Sequence, residues 1–315
     1  MERRQVGRSD LEVSAIGLGG NNFGARMDEA QVRATVHCAL DEGITFIDTA
    51  EAYSNGASEE LLGAALGARR DEAVIATKFG LSAPTGDAPG SRRNVVRACD
   101  ASLRRLRTDH IDLYYLHRPD PTTPIEETLD ALTDLVREGK VRHVAASNLA
   151  GWQVADADHL ARERGLEPFV ADQVEWSLLA RHVEAEVVPA CRHFGVGVVA
   201  FFPLASGLLT GKYRRDEDPP AGTRLAGGSR FARVLTDTNF DKVERLTAVA
   251  EASGRSILEM ALGWLLTQPG VASVLAGATS PDQVQANAAA TTWRLSTDEL
   301  EAVEAALRPP PEPGA

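Results

Sequence analysis

Three cysteines in 315 residues, Cys38, Cys99 and Cys191, are too few and too scattered to form a disulfide framework. They are odd in number, show no C-x-x-C or Cys/His spacing, and each falls in an expected helix or apolar stretch. They read as buried small hydrophobes in a reducing compartment. Long apolar runs are also missing. None approaches the ~20 residues of a membrane span, and the opening MERRQVGRSD is followed by no apolar region of roughly 7–15 residues, so the expected location is cytoplasmic with no membrane partner. Basic charge is in the minority, 33 Lys+Arg against 45 Asp+Glu, for a formal net charge of −12. This balance favours solubility and argues against general affinity for nucleic acid, while leaving room for a local basic cluster to hold one phosphate. The histidines other than His117 (His37, His110, His143, His159, His182 and His193) show no ligand spacing, so no metal site is expected.

What is present is an ordinary globular composition, 43% hydrophobic and 25% charged. The length accommodates two domains, but an α/β barrel of about 250 residues or more is a single domain, and residues 1–315 are read as one. The stretch ITFIDTAEAY organises the rest. An apolar run from Ile44 ends in Asp48 and turns into a polar loop carrying Tyr53. Three further strand-like runs end the same way: VIATK at Lys78, IDLYYLH at His117, and VAASN at Ser147 and Asn148. An acid, a phenol, an ammonium and an imidazole thus stand at or just beyond the C-terminal ends of successive strands, where an eight-stranded parallel barrel carries its chemistry.

The opening residues read as a short hairpin with Gly7 to Asp10 as its turn, leading into a first strand that stops at Gly19 and Gly20. The run G-L-G-G-N-N-F-G does not satisfy a dinucleotide fingerprint, because the third glycine would fall at Asn22. Gly19 and Gly20 instead suit a close approach to the backbone at the mouth. Helical periods follow over Asp28–Asp41, Ser58–Leu66, Arg92–Leu106, Pro124–Glu138, Gly151–Arg164 and Val183–Phe194. Between them lie strands at Ile44–Asp48, Ala73–Lys78, Ile111–His117, Val141–Ala146, Phe169–Gln173 and Val196–Phe201. Asp28 and Ser58 read as helix N-caps, the second with Glu59 and Glu60 facing the helix dipole. Nearly forty aperiodic residues after Phe201 read as a long loop after strand 7, either functional, as loops of that length in a compact domain usually are, or a disordered surface excursion. Helices Phe240–Ala252 and Ile257–Thr267, a last strand Ala272–Ala276, and helices Pro281–Ala290 and Thr297–Ala306 complete the chain, with a frayed proline-rich tail. Strand and helix alternate in units of about 30 residues, which implies a parallel sheet and a (βα)8 TIM barrel preceded by a short β-hairpin.

DTAEAY, the strand-end Lys78, LHRPDP, GKVRHVAASN, DQVEW and PLASGLLTGKY, in this order from Leu11 to about Leu307, resemble the aldo-keto reductases. They are most similar to the branch that includes potassium channel β-subunits and bacterial aldehyde reductases. The resemblance implies a catalytic tetrad of Asp48, Tyr53, Lys78 and His117. Each alone also reads as a structural residue: a cap, a loop aromatic, a strand-end charge, a core histidine. Together they suit hydride transfer from a reduced nicotinamide to a carbonyl. A phenol with an ordinary pKa of about 10 is made a better acid by a neighbouring cation, so Lys78 is expected to lower the pKa of Tyr53. Asp48 would keep Lys78 charged and oriented, and His117 would donate to the carbonyl oxygen.

By the same resemblance Ser147, Asn148 and Gln173 would hold the nicotinamide carboxamide, and Phe201 would stack on its ring where many relatives have Tyr or Trp. Phe202 replaces a common serine. Gly19, Gly20 and Asn21 belong to the cofactor-side rim. Pro203, Leu204, Ser206 and Lys212 match the loop over the pyrophosphate. Arg224 matches an arginine near the 2′-phosphate. Gly277, Thr279, Gln283 and Asn287 match the adenosine site, where N–H groups at a helix start suit an anion. The segment GATSPDQVQAN lacks the basic residue many relatives place there, and Ala286 stands where a carboxylate is common. Lys212 and Arg224 supply that charge instead, so NADP(H) is expected in preference to NAD(H).

Asn22, Phe23, Phe79, Arg118 and Trp176 are the candidate substrate pocket; Trp152 and Trp264 are expected in the core. The aromatic members suit an apolar carbonyl, and Arg118 suits an anionic or hydroxylated one unless Asp120 pairs with it. The expected partner is a small-molecule carbonyl, and the patterns carry no oligomeric state. The rival from another class is a nicotinamide-binding regulatory or scaffold protein with little turnover. An isomerase or hydrolase would need a metal cluster or phosphate motif that the sequence does not show.

Overall fold

Two short strands, β1 (Arg3–Gln5) and β2 (Glu12–Ser14), pair antiparallel as the expected hairpin. The computed structural model describes residues 1–81, 86–227 and 229–308; the expected fraying of the tail concerns residues 309–315, which lie outside these. Eight strands follow: β3 (Ile16–Gly19), β4 (Phe46–Asp48), β5 (Val74–Phe79), β6 (Ile111–Leu116), β7 (Val141–Ser147), β8 (Ala171–Glu175), β9 (Gly197–Phe201) and β10 (Val271–Gly277). They close into a parallel barrel in chain order, with β10 pairing to β3. Around it lie α1 (Glu29–Asp41), α2 (Ala57–Leu66), α3 (Arg92–Leu106), α4 (Ile125–Arg137), α5 (Gly151–Arg164), α6 (Val187–Phe194), α7 (Asp237–Ala252), α8 (Ile257–Thr267), α9 (Pro281–Ala289) and α10 (Thr297–Leu307). This is the expected (βα)8 TIM barrel.

Side chains alternate across each strand, and this separates two packed layers. Phe46, Ala76, Leu113, Tyr115, Ala145, Ala171 and Val199 fill the barrel interior. Their neighbours, such as Ile47, Ile75, Tyr114, Val144 and Val198, pack outward against the helices. Two residues further on, the inward register delivers Asp48, Lys78, His117, Ser147, Gln173 and Phe201 to one mouth. The hairpin closes the other end of the barrel, with Val6, Leu11 and Val13 joining the interior layer. Its turn needs Gly7: φ is +54°, and a Cβ there would lie 2.6 Å from the Gly195 carbonyl and 2.7 Å from the Gly197 nitrogen.

Several local expectations are corrected. Asp28 caps α1, its carboxylate accepting from Gln31 N while Gln31 reaches back, but Ser58 does not cap α2. The cap position is Gly56, in left-handed conformation, and Ser58 is buried within the first turn. The expected Val183–Phe194 helix is divided: a 3₁₀ turn over His182–Glu184 is broken at Glu186, and α6 starts at Val187. Pro189 is accommodated there because the first turn of a helix has no use for its N–H. Trp152 is 64% exposed rather than in the core, because it lies on the solvent side of α5 while Val154, Ala157 and Ala161 face inward. Trp264 is in the core, as expected. The loop after β9 contains short 3₁₀ turns at Ala205–Thr210 and Ala232–Val234. Among the described residues no helix is long and apolar enough to cross a membrane, and no group of His, Cys, Asp and Glu is arranged to hold a metal.

Candidate active site

Lys78 sits at the centre of the mouth, 1% exposed. Its ammonium has three protons and three acceptors: Asp48 Oδ2 at 2.5 Å, Thr49 O at 2.9 Å and the Tyr53 hydroxyl at 3.4 Å. The second oxygen of Asp48 accepts from the Gln173 amide at 2.8 Å. Burial works against the charge on Lys78, yet Asp48 and Tyr53 outweigh it and hold the ammonium above its ordinary pKa. Asp48 is pushed up by burial, opposed by Lys78 and Gln173. A lone buried ion would be costly; this pair satisfies every strong donor and acceptor it brings.

Tyr53 reaches this pair from a 3₁₀ turn, Tyr53–Gly56, in which Ser54 and Asn55 have φ of 51° and 55°. Its N–H donates to Ala50 O at 3.0 Å, and Ser54 Oγ donates to Phe23 O at 3.0 Å, which ties the turn to the loop after β3. The direction of its pKa differs from the expectation. Burial raises it and outweighs the lowering by Lys78 and Arg224, with Asp48 adding to the rise. Removing a phenolate from water costs more here than the ammonium returns, so the group is a neutral phenol over a wide pH range.

The His117 ring stands edge-on to Tyr53 with centroids 5.9 Å apart. Burial first, then the charges of Lys78 and Arg118, lower its pKa to about 3. It is therefore a neutral imidazole, and its buried Nδ1 makes no hydrogen bond. Phenol and imidazole thus stand together at the mouth, with the Lys78 ammonium against the phenol.

The first turn of α2 holds residues whose part the sequence did not reveal. Ser58 Oγ donates to Gly20 O at 2.9 Å and contacts Thr49 Oγ1 at 2.7 Å. Glu59 is fully buried; its two oxygens accept from Thr77 Oγ1 and from Arg105 Nε, both at 2.6 Å. The Ser-Glu pair after a turn looks like a helix start in one dimension. Only the neighbours supplied by β5 and α3 give it a different use.

The residues expected at the cofactor form an arc over β3, β7, β8, β9 and β10. Ser147 Oγ donates to Gln173 O at 2.8 Å, and Asn148, at φ 63°, donates to Ser147 Oγ at 2.8 Å and His117 O at 3.3 Å. Phe201 is half-buried at the rim and contacts Phe202. Gly20 lies against Asp48, its N–H donating to Asp48 O at 2.7 Å, and Gly19 leaves open space above it. Pro203 is buried, Leu204 and Ser206 are half-buried, and Ser206 has φ 59°. Lys212 is exposed, 5.3 Å above the Tyr213 ring.

Arg224 donates to Asn21 Oδ1 at 3.0 Å and Asn22 Oδ1 at 2.8 Å, stacks over Phe202 and Phe231, and lies beside Gly277. No carboxylate pairs with it among the described residues. Arg26 reaches the same loop by donating to Gly222 O. At α9, Thr279 N donates to Gln283 Oε1 at 2.9 Å, Ser280 caps Gln283 N, Pro281 has no N–H, and Asn287 is buried. The helix start thus offers an anion fewer free N–H groups than expected.

Of the expected substrate residues, Phe23, Phe79 and Trp176 are buried. Phe79 packs at a tilt against Tyr114, and Trp176 meets Trp264 edge to face while its indole donates to Glu184. Asn22 is buried under Arg224. Arg118 is exposed at the mouth, and Asp120 does not pair with it; Asp120 accepts from Gly90, Thr122 and Thr123.

Comparison with known proteins bears on the family of the chain. A sequence profile described as the Aldo/keto reductase family matches residues 15–308. A protein of Arabidopsis thaliana named "Probable voltage-gated potassium channel subunit beta" is 36% identical over 302 residues, covering 91% of this chain and 90% of its own. One of the same name from Oryza sativa subsp. japonica is 36% identical over 303 residues, with the same coverage of 91% and 90%. "Probable aldo-keto reductase 1" of Glycine max is 36% identical over 304 residues, covering 94% of this chain and 86% of its own.

Proposed function

The chain belongs to the aldo/keto reductase family, and from this premise we propose that it is an NADP(H)-dependent oxidoreductase that reduces aldehydes or ketones to alcohols, with Tyr53 as general acid. The observation that carries the reading is the buried chain Asp48–Lys78–Tyr53, because an ammonium 3.4 Å from a phenol stabilises the phenolate as the proton leaves. Asp48 keeps Lys78 protonated, and His117, neutral, donates to the substrate oxygen and aligns it with Tyr53. The bound nicotinamide supplies the hydride. Ser147, Asn148 and Gln173 would orient its carboxamide and Phe201 would lie on its ring. Lys212 and Arg224 would meet its phosphates.

A cofactor of this charge fits the residues present: Arg224 is a half-buried guanidinium at the rim with no carboxylate partner among the described residues. That fit favours NADP(H) over NAD(H). The natural partner is a small carbonyl compound in the cytoplasm.

The test is NADPH oxidation with an activated aromatic aldehyde, wild type beside Tyr53→Phe, with NADH in parallel. Tyr53→Phe is expected to keep the fold and NADPH affinity and to lower turnover about 10²-fold or more, the scale of a lost general acid. Equal rates would remove Tyr53 from the mechanism. The names of the plant relatives favour a second reading, a nicotinamide-binding regulatory subunit. NADPH binding without turnover on a broad carbonyl panel would establish that reading instead.

A further inference from the structure

Behind the mouth, between β5, α2 and α3, lies a second charged cluster that the proposed chemistry does not use: Glu51, Glu59, Arg97 and Arg105. Glu59 is its centre. On one side it accepts from Thr77, the residue immediately before Lys78; on the other it pairs with Arg105. It stands in the first turn of α2, directly after the 3₁₀ turn that begins at Tyr53. A single carboxylate therefore joins the strand that carries the cation to the helix whose entry carries the phenol.

Two further ties act in the same direction. Arg105 presses on the back of the Tyr53 turn at Gly56, where a Cβ would lie 2.8 Å from Arg105 Cδ. Glu51, between Asp48 and Tyr53, accepts from Gly80 N at 3.0 Å, and its own N–H donates to Lys78 O at 3.1 Å. A buried ion pair of this kind contributes little more stability than a well-packed apolar pair, but it is directional. Direction matters here because the Lys78–Tyr53 contact, 3.4 Å, is at the outer limit of a hydrogen bond. A shift of a few tenths of an ångström at the start of α2 would break it.

We propose that Glu59, clamped between Thr77 and Arg105, is a positioning residue that fixes the Tyr53 hydroxyl against the Lys78 ammonium. This rests on the reading of Tyr53 as the acid, and the test separates the two. Glu59→Gln is made alone and in the Tyr53→Phe background. Turnover is measured with NADPH and saturating 4-nitrobenzaldehyde, and NADPH affinity by quenching of protein fluorescence. Tyr53 ionisation is followed by tyrosinate absorbance, as the difference between each protein and its Tyr53→Phe counterpart. Four groups face that phenol: Asp48 from β4, Lys78 from β5, His117 after β6 and Arg224 from the loop after β9.

The expected result is about a tenfold loss of kcat, NADPH affinity within about twofold of wild type, and no further loss in the Tyr53→Phe background. Tyr53 ionisation is expected to move to higher pH, because Lys78 no longer supports the phenolate. An unchanged kcat, or the same fractional loss in both backgrounds, would overturn the proposal and leave Glu59 as a structural ion-pair partner. Should Glu59→Gln fail to fold, Thr77→Val carries the test, since it keeps the ion pair and cuts only the tie to β5. If the wild type binds NADPH but turns over no carbonyl, the proposed activity has failed. The tyrosinate titration then decides the positioning role alone: an upward shift supports it and no shift overturns it.

Discussion

Burial first, and then the charges of Lys78 and Arg118, keep the His117 ring from taking up a proton. Below about pH 6.5 the unfolded chain takes up a proton that the native protein refuses until about pH 3. Its folded pKa is depressed, so stability is lost as pH falls across that window, by roughly 1.4 kcal/mol per pH unit for one site. Urea midpoints measured from pH 7 to 4 are expected to fall less steeply for His117→Gln than for wild type; parallel slopes would contradict the neutral, buried imidazole. Arg224 gives the other prediction at this scale. Arg224→Ala is expected to weaken NADPH about tenfold or more and NADH little, the scale of one charge-assisted contact to phosphate. A uniform loss for both cofactors, read by fluorescence titration, would reject its assignment to the 2′-phosphate. The grouping of Asp48, Tyr53, Lys78 and His117 at one mouth was legible in the sequence because each sits at or just past a strand end. Glu59 and Ser58 were not, because their partners Thr77, Arg105 and Gly20 are remote in the chain, and the spacing alone suggested a cap.

At the scale of elements, the βα-units place the chemistry and the hairpin seals the opposite end. β1 and β2 are too short to be stable alone, and they persist because Val6, Leu11 and Val13 complete the interior layer. Gly7→Ala is expected to lower unfolding stability by about 2 kcal/mol or more, since it combines a left-handed φ with collisions against backbone atoms of the strands it covers. NADPH affinity should be unchanged, because the hairpin lies at the far end of the barrel. A neutral effect in urea denaturation would mean that the turn moves freely. Strand and helix periods gave the order of these elements, but not every boundary. β4 begins at Phe46 and β8 at Ala171, each later than the apolar run suggests, because strand pairing and not hydrophobicity sets the end. Glu186, likewise, breaks a helix that the apolar pattern would have carried through.

For the whole molecule, a net charge of −12 coexists with a mouth that gathers Lys78, Arg118 and Arg224. An excess of acidic charge favours solubility, and an anionic ligand is the expected occupant of such a mouth. A ligand that binds only the folded state stabilises it by an amount that grows with the logarithm of its concentration over Kd, about 2.7 kcal/mol at a hundred times Kd. NADPH is expected to raise the thermal midpoint by several degrees at a concentration where NADH raises it less, and Arg224→Ala should narrow the gap. Equal shifts with both cofactors would count against NADP(H) preference.

The sequence by itself determined the barrel, the family and the inward residues at its mouth, because each follows from local periodicity and from which residue ends a strand. Tertiary structure alone decided how those residues are charged and braced. Tyr53 is raised rather than lowered because burial, a property of the assembled mouth, outweighs one cation. Phe23, Phe79 and Trp176 are buried because their neighbours in the assembled barrel, Tyr114 for Phe79 and Trp264 for Trp176, come from remote parts of the chain. Glu59 is tied to the cation's strand because folding brings α2, α3 and β5, remote in the chain, together around its carboxylate.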